Sequence, residues 1–259
     1  MAERRTRTEE TLGQSGAIAL FDVDDTLIAG YTVFPFVRML SKQGLVSENV
    51  SAALEEDRLR HHNKVITYQQ FADDVVTHYC QCLEGKSQTD IEAFGKIFLA
   101  HIEAKMLHGF SGDLVKMLNE RALTIAISGS PVEVLRPLTN HLGIKEAIGL
   151  EAEVSDGHYT GRVKTNTAVR SEKEKVIAAI VGRGYSKKTS FAFGDSDSDV
   201  PILEVVDNPF AVNPKPDLRD LATANGWHIV NSGNILSEVR ITLENISREQ
   251  KNRGNSRQA

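Results

Sequence analysis

The chain has 259 residues, of which 41% are hydrophobic and 25% charged, with a formal net charge of −5 at pH 7. This is the composition of an ordinary soluble globular protein, and its acidic balance excludes a basic footprint for nucleic acid. No apolar run approaches the ~20 residues that span a bilayer.

Taken in order, residues 1–15 are polar and read as a flexible tail. "AIALFDV" (17–23) is apolar and too short for a typical helix, so it reads as a fully buried strand. Residues 31–105 hold no convincing strand; Phe94, Ile97, Phe98, His101 and Ile102 recur at helical steps, which predicts an insertion of three or four helices. Within it Cys80 and Cys82 stand two apart on helix-like sequence. That is poor geometry for a disulfide and too few ligands for zinc, so free thiols in a reducing cytoplasm are expected. "SGDLVKMLNERA" reads as a helix with Ser111 as N-cap, "LTIAISGS" (123–130) as a second buried strand, and "PVEVLRPLTNHLG" as a helix closed by Gly143. Asp156-Gly157 signals a hairpin. "SEKEKVIAAIVGRG" reads as a helix with Ser171 as N-cap, and "TSFAFGDSDSD" as a third buried strand. A short helix at "PILEVV" and strands at "PFAVNP" and "HIV" follow. Residues 246–259 read as a second flexible tail.

Short buried strands alternating with helices predict an α/β fold. The sheet should be Rossmann-like and mostly parallel, with helices on both faces. The expected core is 16–30 plus 106–245, interrupted by an α-helical cap at 31–105. In such sheets ligands bind at the carboxyl ends of the strands. Three strands each deliver polar residues there: Asp22, Asp24, Asp25 and Thr26; Ser128, Gly129 and Ser130; and Asp195, Ser196, Asp197 and Asp199.

Carboxylates gathered at one point require a compensating cation. An all-oxygen donor set suits Mg²⁺ ahead of Ca²⁺ or zinc. The D-x-D spacing just past a strand end lets two acids flank one site, one as nucleophile and the other as proton donor and then acceptor. Thr26, Ser128 and the N–H groups of Gly129 and Ser130 are candidate donors to phosphoryl oxygens. A lysine would balance the remaining charge. Lys173 and Lys175 both qualify; Lys173 shares a helix side with Val176, Ile177 and Ile180, whereas Lys175 is rotated away.

"DVDDT", "ISGS" and "GDSDSD", in that order at three strand ends, resemble the motifs of the haloacid dehalogenase superfamily of phosphohydrolases. The likeness is greatest to its phosphoserine-phosphatase-like branch, whose helical cap follows the first motif. The resemblance implies that Asp22 is the nucleophile that becomes an aspartyl-phosphate, and that Asp24 is the acid and base. It implies a Mg²⁺ cofactor held by Asp22, the Asp24 backbone carbonyl and Asp195, with support from Asp199. It further implies that Ser128 and a lysine bind phosphate, and that the partner is a small phosphomonoester rather than a nucleic acid or a membrane. One departure stands out. Phosphoserine phosphatases carry an acid nine positions after the nucleophile, to pair with the substrate ammonium, and here that residue is Tyr31. Asp57, Glu55, Glu56 and Asp73 are the cap acids available to replace it, while an aromatic mouth suits a bulkier or less charged ester.

Duller readings attach to the other polar clusters. His61 and His62 are adjacent on a helix and do not face one another. His101 and His108 read as packing residues, and Arg58 and Arg60 as a solvated face. A phospho-acceptor signalling protein is the rival functional class, but its acceptor lies on a middle strand and lacks a second acid two residues on.

Overall fold

The computed structural model describes residues 16–255, so the expected tail at 1–15 and the last four residues lie outside the described residues. Seven strands form one sheet in the order β4-β3-β2-β1-β5-β6-β7. They are β1 (Ala17–Phe21), β2 (Ala122–Pro131), β3 (Glu146–Ser155), β4 (His158–Thr165), β5 (Phe191–Gly194), β6 (Asn208–Val212) and β7 (His228–Val230). All neighbours are parallel except β3 and β4, the hairpin that turns at Asp156-Gly157, both at positive φ.

The central strands are apolar on both sides, and their alternation divides the core in two. Phe21, Ala126, Phe193, Phe210 and Val212 face one layer. Ile18, Leu20, Ile125, Ile127, Ala192 and Ala211 face the other. The first layer is completed by α5 (Ser111–Asn119), α6 (Val132–Leu142), α10 (Ile235–Asn255) and the helical insertion. The second is completed by α7 (Arg170–Val181), α8 (Val200–Leu203) and α9 (Pro216–Asn225). Helices therefore cover both faces of the sheet.

Strand register sets the height of the site. Phe21 pairs with Phe193, and Phe193 with Phe210. Their rings stack at 5.0 Å and 5.2 Å between centroids, and His228 continues the row at 4.4 Å from Phe210. One aromatic tier thus crosses adjacent strands, and the chain one or two residues beyond it bears the acids. The Asp22 N–H donates to the Phe193 carbonyl at 2.9 Å, which carries the pairing into the first acid.

Five helices separate β1 from β2; the four that precede α5 form the insertion, α1 (Val33–Lys42), α2 (Glu48–His62), α3 (Tyr68–Cys82) and α4 (Gln88–Lys105). Ser47, Thr67 and Ser87 cap the last three, each accepting a backbone N–H of the first turn. α4 lies against α6 so closely that a Cβ on Gly95 would sit 1.9 Å from the Glu133 carbonyl oxygen, so this crossing requires glycine. Cys80 and Cys82 are free and buried. Among the described residues no helix is long and apolar enough to cross a membrane.

Three local expectations are corrected. Ser111 is the first residue of α5 rather than its cap, because its hydroxyl donates to the Leu27 carbonyl at 2.6 Å and ties the helix to the loop after β1. Ser171 lies inside α7, which starts at Arg170 after an extended Val169. The segment expected as a C-terminal tail from 246 is helical as far as 255, a continuation of α10, which the buried Ile235 and Val239 anchor on the core. The Gly143 C-cap is as expected, at φ 80°.

Candidate active site

Asp22, Asp195 and Asp199 converge at the ends of β1 and β5. One carboxylate oxygen from each lies within 4.8 Å of the others, and all three side chains are buried. Lys173, from the first turn of α7, enters this cluster. Its Nζ donates to Asp22 Oδ1 at 3.0 Å and to Asp199 Oδ1 at 2.5 Å, and the residue is 2% exposed.

Lys175, the competing lysine, is corrected out of the site. It is exposed and pairs with Glu172 at 2.6 Å, because two residues along a helix rotate a side chain to a different face. Lys173 shares the buried face of α7 with Ile177 and Ile180.

Asp199 is held from behind. Its Oδ2 accepts the backbone N–H groups of Asp195 and Ser196 and the Ser196 hydroxyl, each at 3.1 Å. It tucks under β5 because residue 194 is glycine; a Cβ there would lie 2.4 Å from the Asp199 Cβ. Burial alone would raise the Asp199 carboxyl, but Lys173 and these N–H donors hold it below the usual carboxylate range. Asp22 goes the other way. Burial first, then the neighbouring Asp199, push its carboxyl well up despite Lys173. Asp195 is pushed up to about 7 by burial and by Asp199. Burial opposes the charge on Lys173, but Asp199 and Asp22 outweigh it and keep the ammonium protonated.

Asp24 stands apart from this triad. Its Oδ1 accepts the Ser130 hydroxyl at 2.9 Å and the Thr32 N–H at 3.1 Å. Burial raises its carboxyl to about 6. Asp25, at φ 62°, turns the chain and accepts the Gly30 N–H at 2.7 Å. The expected phosphate donors fall in two groups. Gly129 lines the cleft. Ser128 is fully buried, its hydroxyl accepting the Ser130 N–H at 3.1 Å and so bracing the turn. Thr26 is also buried, with its hydroxyl 3.5 Å from Asp195 Oδ1.

Two contributors escape the motif reading. Lys215, in "NPKP" after β6, places Nζ 2.7 Å from Asp195 Oδ2, 3.3 Å from Asp25 Oδ2 and 3.3 Å from the Tyr31 hydroxyl. Its only sequence signal is a cation just past another parallel strand end. Tyr68 opens α3, and its hydroxyl donates to the Ala168 carbonyl at 3.4 Å, joining the insertion to the loop before α7. Tyr31, Phe34, Tyr68, Phe71, Val75 and Val76 form the wall opposite the acids. His61 and His62 make no metal pair; the His61 ring stacks on Phe71 at 4.7 Å. His101 stacks on Phe98 at 5.3 Å and His108 on Phe110 at 5.2 Å, both as packing residues.

The donor set is all oxygen, doubly acidic at Asp22 and Asp195, and buried. Such a set fits a hard divalent cation of the Mg²⁺ type. Asp199 is already engaged by Lys173 and by backbone donors, so it fits a supporting place behind the other two.

Residues 19–204 match the haloacid dehalogenase-like hydrolase family. The chain belongs to that family and is a hydrolase. Its fold is that of the phosphoserine-phosphatase-like branch, with the helices inserted straight after the first acidic motif. It is 28% identical over 218 residues to phosphoserine phosphatase SerB1 of Mycobacterium tuberculosis, covering 82% of this chain and 70% of that protein. It is 27% identical over 230 residues to a histidinol-phosphatase of Neisseria meningitidis, covering 83% of this chain and 98% of that protein. Among solved structures it superposes on a protein of unknown function from Bordetella pertussis with a TM-score of 0.69 and 26% identity, over 84% of this chain and 99% of that one. A phospho-aspartyl intermediate analogue of a phosphoserine phosphatase shares the fold at a TM-score of 0.61 and 18% identity, over 87% of this chain and 98% of that one.

Proposed function

We propose that the chain is a Mg²⁺-dependent phosphomonoesterase that carries the phosphoryl group on Asp22. The observation that supports this most is the buried meeting of Asp22, Asp195 and Asp199 with Lys173 at adjacent strand ends. Asp22 Oδ attacks phosphorus and the bond to the ester oxygen breaks. Asp24, whose carboxyl sits at about 6 and so keeps part of its proton near neutrality, protonates the departing alkoxide. The Asp24 carboxylate then takes a proton from water as the water oxygen attacks phosphorus. The bond to Asp22 breaks, inorganic phosphate leaves, and both acids are restored. Ser130 and the Thr32 N–H hold Asp24 by one oxygen, which keeps the other for the proton. The Gly129 N–H, the Thr26 and Ser128 hydroxyls and the Lys173 ammonium are the donors for the phosphoryl oxygens; the Ser130 N–H is spent on the Ser128 hydroxyl.

Asp22, the Asp24 backbone carbonyl and Asp195 would hold the Mg²⁺, with Asp199 in support. A bound divalent ion supplies charge neutralisation for the phosphoryl oxygens and the acids around them. The helices at 33–105 act as a cap that excludes water and reads the leaving group. A phosphotransfer protein would keep its phosphate on Asp22; a half-buried acid two residues on, held by one oxygen, favours hydrolysis instead. The two free buried thiols suit a reducing cytoplasm. The test is turnover of p-nitrophenyl phosphate with Mg²⁺, with EDTA, and by Asp22→Asn. Activity should vanish in the last two cases; activity that survives both overturns the proposal.

A further inference from the structure

The wall of the cleft opposite the strand-end acids bears no acidic side chain among the described lining residues. Among the described residues the charged side chains lining the cleft as a whole are Asp22, Asp24, Asp195, Lys173 and Lys215. The three acids and Lys173 are committed to the phosphoryl side. Lys215 leans on Asp195 and Asp25 and adds positive charge at the mouth.

Each cap acid that could have paired a substrate ammonium is placed elsewhere. Asp57 is buried against His78 at 2.7 Å. Glu55 binds Arg58 at 2.5 Å, and Asp73 accepts from Gln69 at 2.9 Å. Glu56 is exposed on α2. None of the four lines the cleft.

Rings occupy the space instead. Tyr31 packs edge-on against Phe34 and Phe71, at 6.1 Å and 6.3 Å. Phe34 and Phe71 stack at 6.2 Å with 17° between their planes, and Val75 follows Phe71 one turn along α3. An ammonium could bind a ring face, but Lys215 already lies over Tyr31 at 5.4 Å and would repel it.

We infer that the substrate is the phosphate monoester of an uncharged, apolar or aromatic alcohol, and that Tyr31, Phe34 and Phe71 select it against zwitterionic amino-acid esters. This rests on the phosphomonoesterase reading above. An apolar alcohol exchanges water for the rings and valines. An amino alcohol must strip its ammonium of water and leave it unpaired beside a lysine, a cost that enters the transition state as well as the ground state.

The test is kcat/KM of the Mg²⁺-loaded enzyme for four esters with aliphatic alcohol leaving groups: methyl phosphate, 2-phenylethyl phosphate, phosphoethanolamine and phosphoserine. The phenylethyl ester should exceed both amino esters by about a hundredfold, with methyl phosphate between them. Amino esters that match or beat the phenylethyl ester overturn the inference while leaving the phosphatase reading intact. No turnover of any ester, methyl phosphate included, removes both. Tyr31→Glu adds a carboxylate at the mouth and should shift the phenylethyl-to-phosphoethanolamine ratio towards the amino ester by about tenfold. An unchanged ratio in a folded variant counts against Tyr31 as selector, and the wild-type series decides the matter if the variant does not fold.

Discussion

Two buried carboxylate sites in this molecule invite comparison. One is the cluster of Asp22, Asp195 and Asp199 at the strand ends. The other is Glu133, 4% exposed in the first turn of α6. Glu133 gives one oxygen to the Tyr79 hydroxyl at 2.8 Å and the other to the Tyr159 hydroxyl at 2.7 Å. Burial holds its carboxyl above the usual range, and the two phenols and Arg136 offset only part of that rise. Each oxygen has its donor, so the site is closed. It binds α3 of the insertion, β4 and α6 into one joint. The strand-end cluster holds three carboxylates against one buried lysine, and burial drives two of them upward. Acids in excess of their internal partners are open to a cation and a phosphoryl group; acids matched one to one are mortar. Burial alone does not separate the two, whereas counting donors does.

The comparison is broken most sharply by Asp22→Asn. Turnover should fall at least ~10⁴-fold, as for other residues that act as the covalent centre. The melting temperature should hold or rise, because the change removes a charge that burial and Asp199 disfavour. A large fall in melting temperature would show that the cluster is structural after all. Lys173→Met comes next. It strips from Asp22 and Asp199 the buried cation that pairs with both, and should cost about 3–5 kcal/mol in denaturant unfolding as well as most of the activity. Lys175→Met should stay within about 0.5 kcal/mol and near wild-type rate. Equal effects at the two lysines would contradict the geometry. Tyr79→Phe should give the smallest change of the active set. It leaves Glu133 Oε2 short of a donor, costs about 1–3 kcal/mol, and changes kcat/KM far less than it changes stability. A kinetic loss larger than the stability loss would mean that the joint takes part in positioning the cap.

The sheet and the strand-end acids were legible because both follow from short-range pattern. A buried strand must be apolar on both sides, and polar residues straight after it mark the functional edge. Lys173 was separable from Lys175 by helical rotation alone. Other features needed the fold. Lys215 is one lysine in a proline-flanked loop, and only the placing of β6 beside β5 brings it to Asp195. Whether Asp57, Glu55, Glu56 or Asp73 faces the cleft depends on how α2 and α3 pack, which periodicity does not resolve. The start of α5 is not legible in the sequence, because a serine before a helix is usually a cap, while here its hydroxyl serves a long-range bond to Leu27. The helix from 246 to 255 is hidden in the sequence because its polar residues show little apolar stripe; it continues a helix whose anchor lies upstream.

The position of β1 has a consequence for how the molecule is made. Residue 17 leads the first strand, yet that strand is central in the sheet: Ala17 pairs with Ala122 and Ala19 with Phe191. During synthesis it must wait for partners encoded far downstream, while the five intervening helices make their turns from neighbouring residues as they emerge. Contacts between distant residues form slowly and local ones quickly. The cluster of acids at the strand ends is therefore assembled late, after most of the polypeptide has left the ribosome, and the inserted helices form before the centre they lie against.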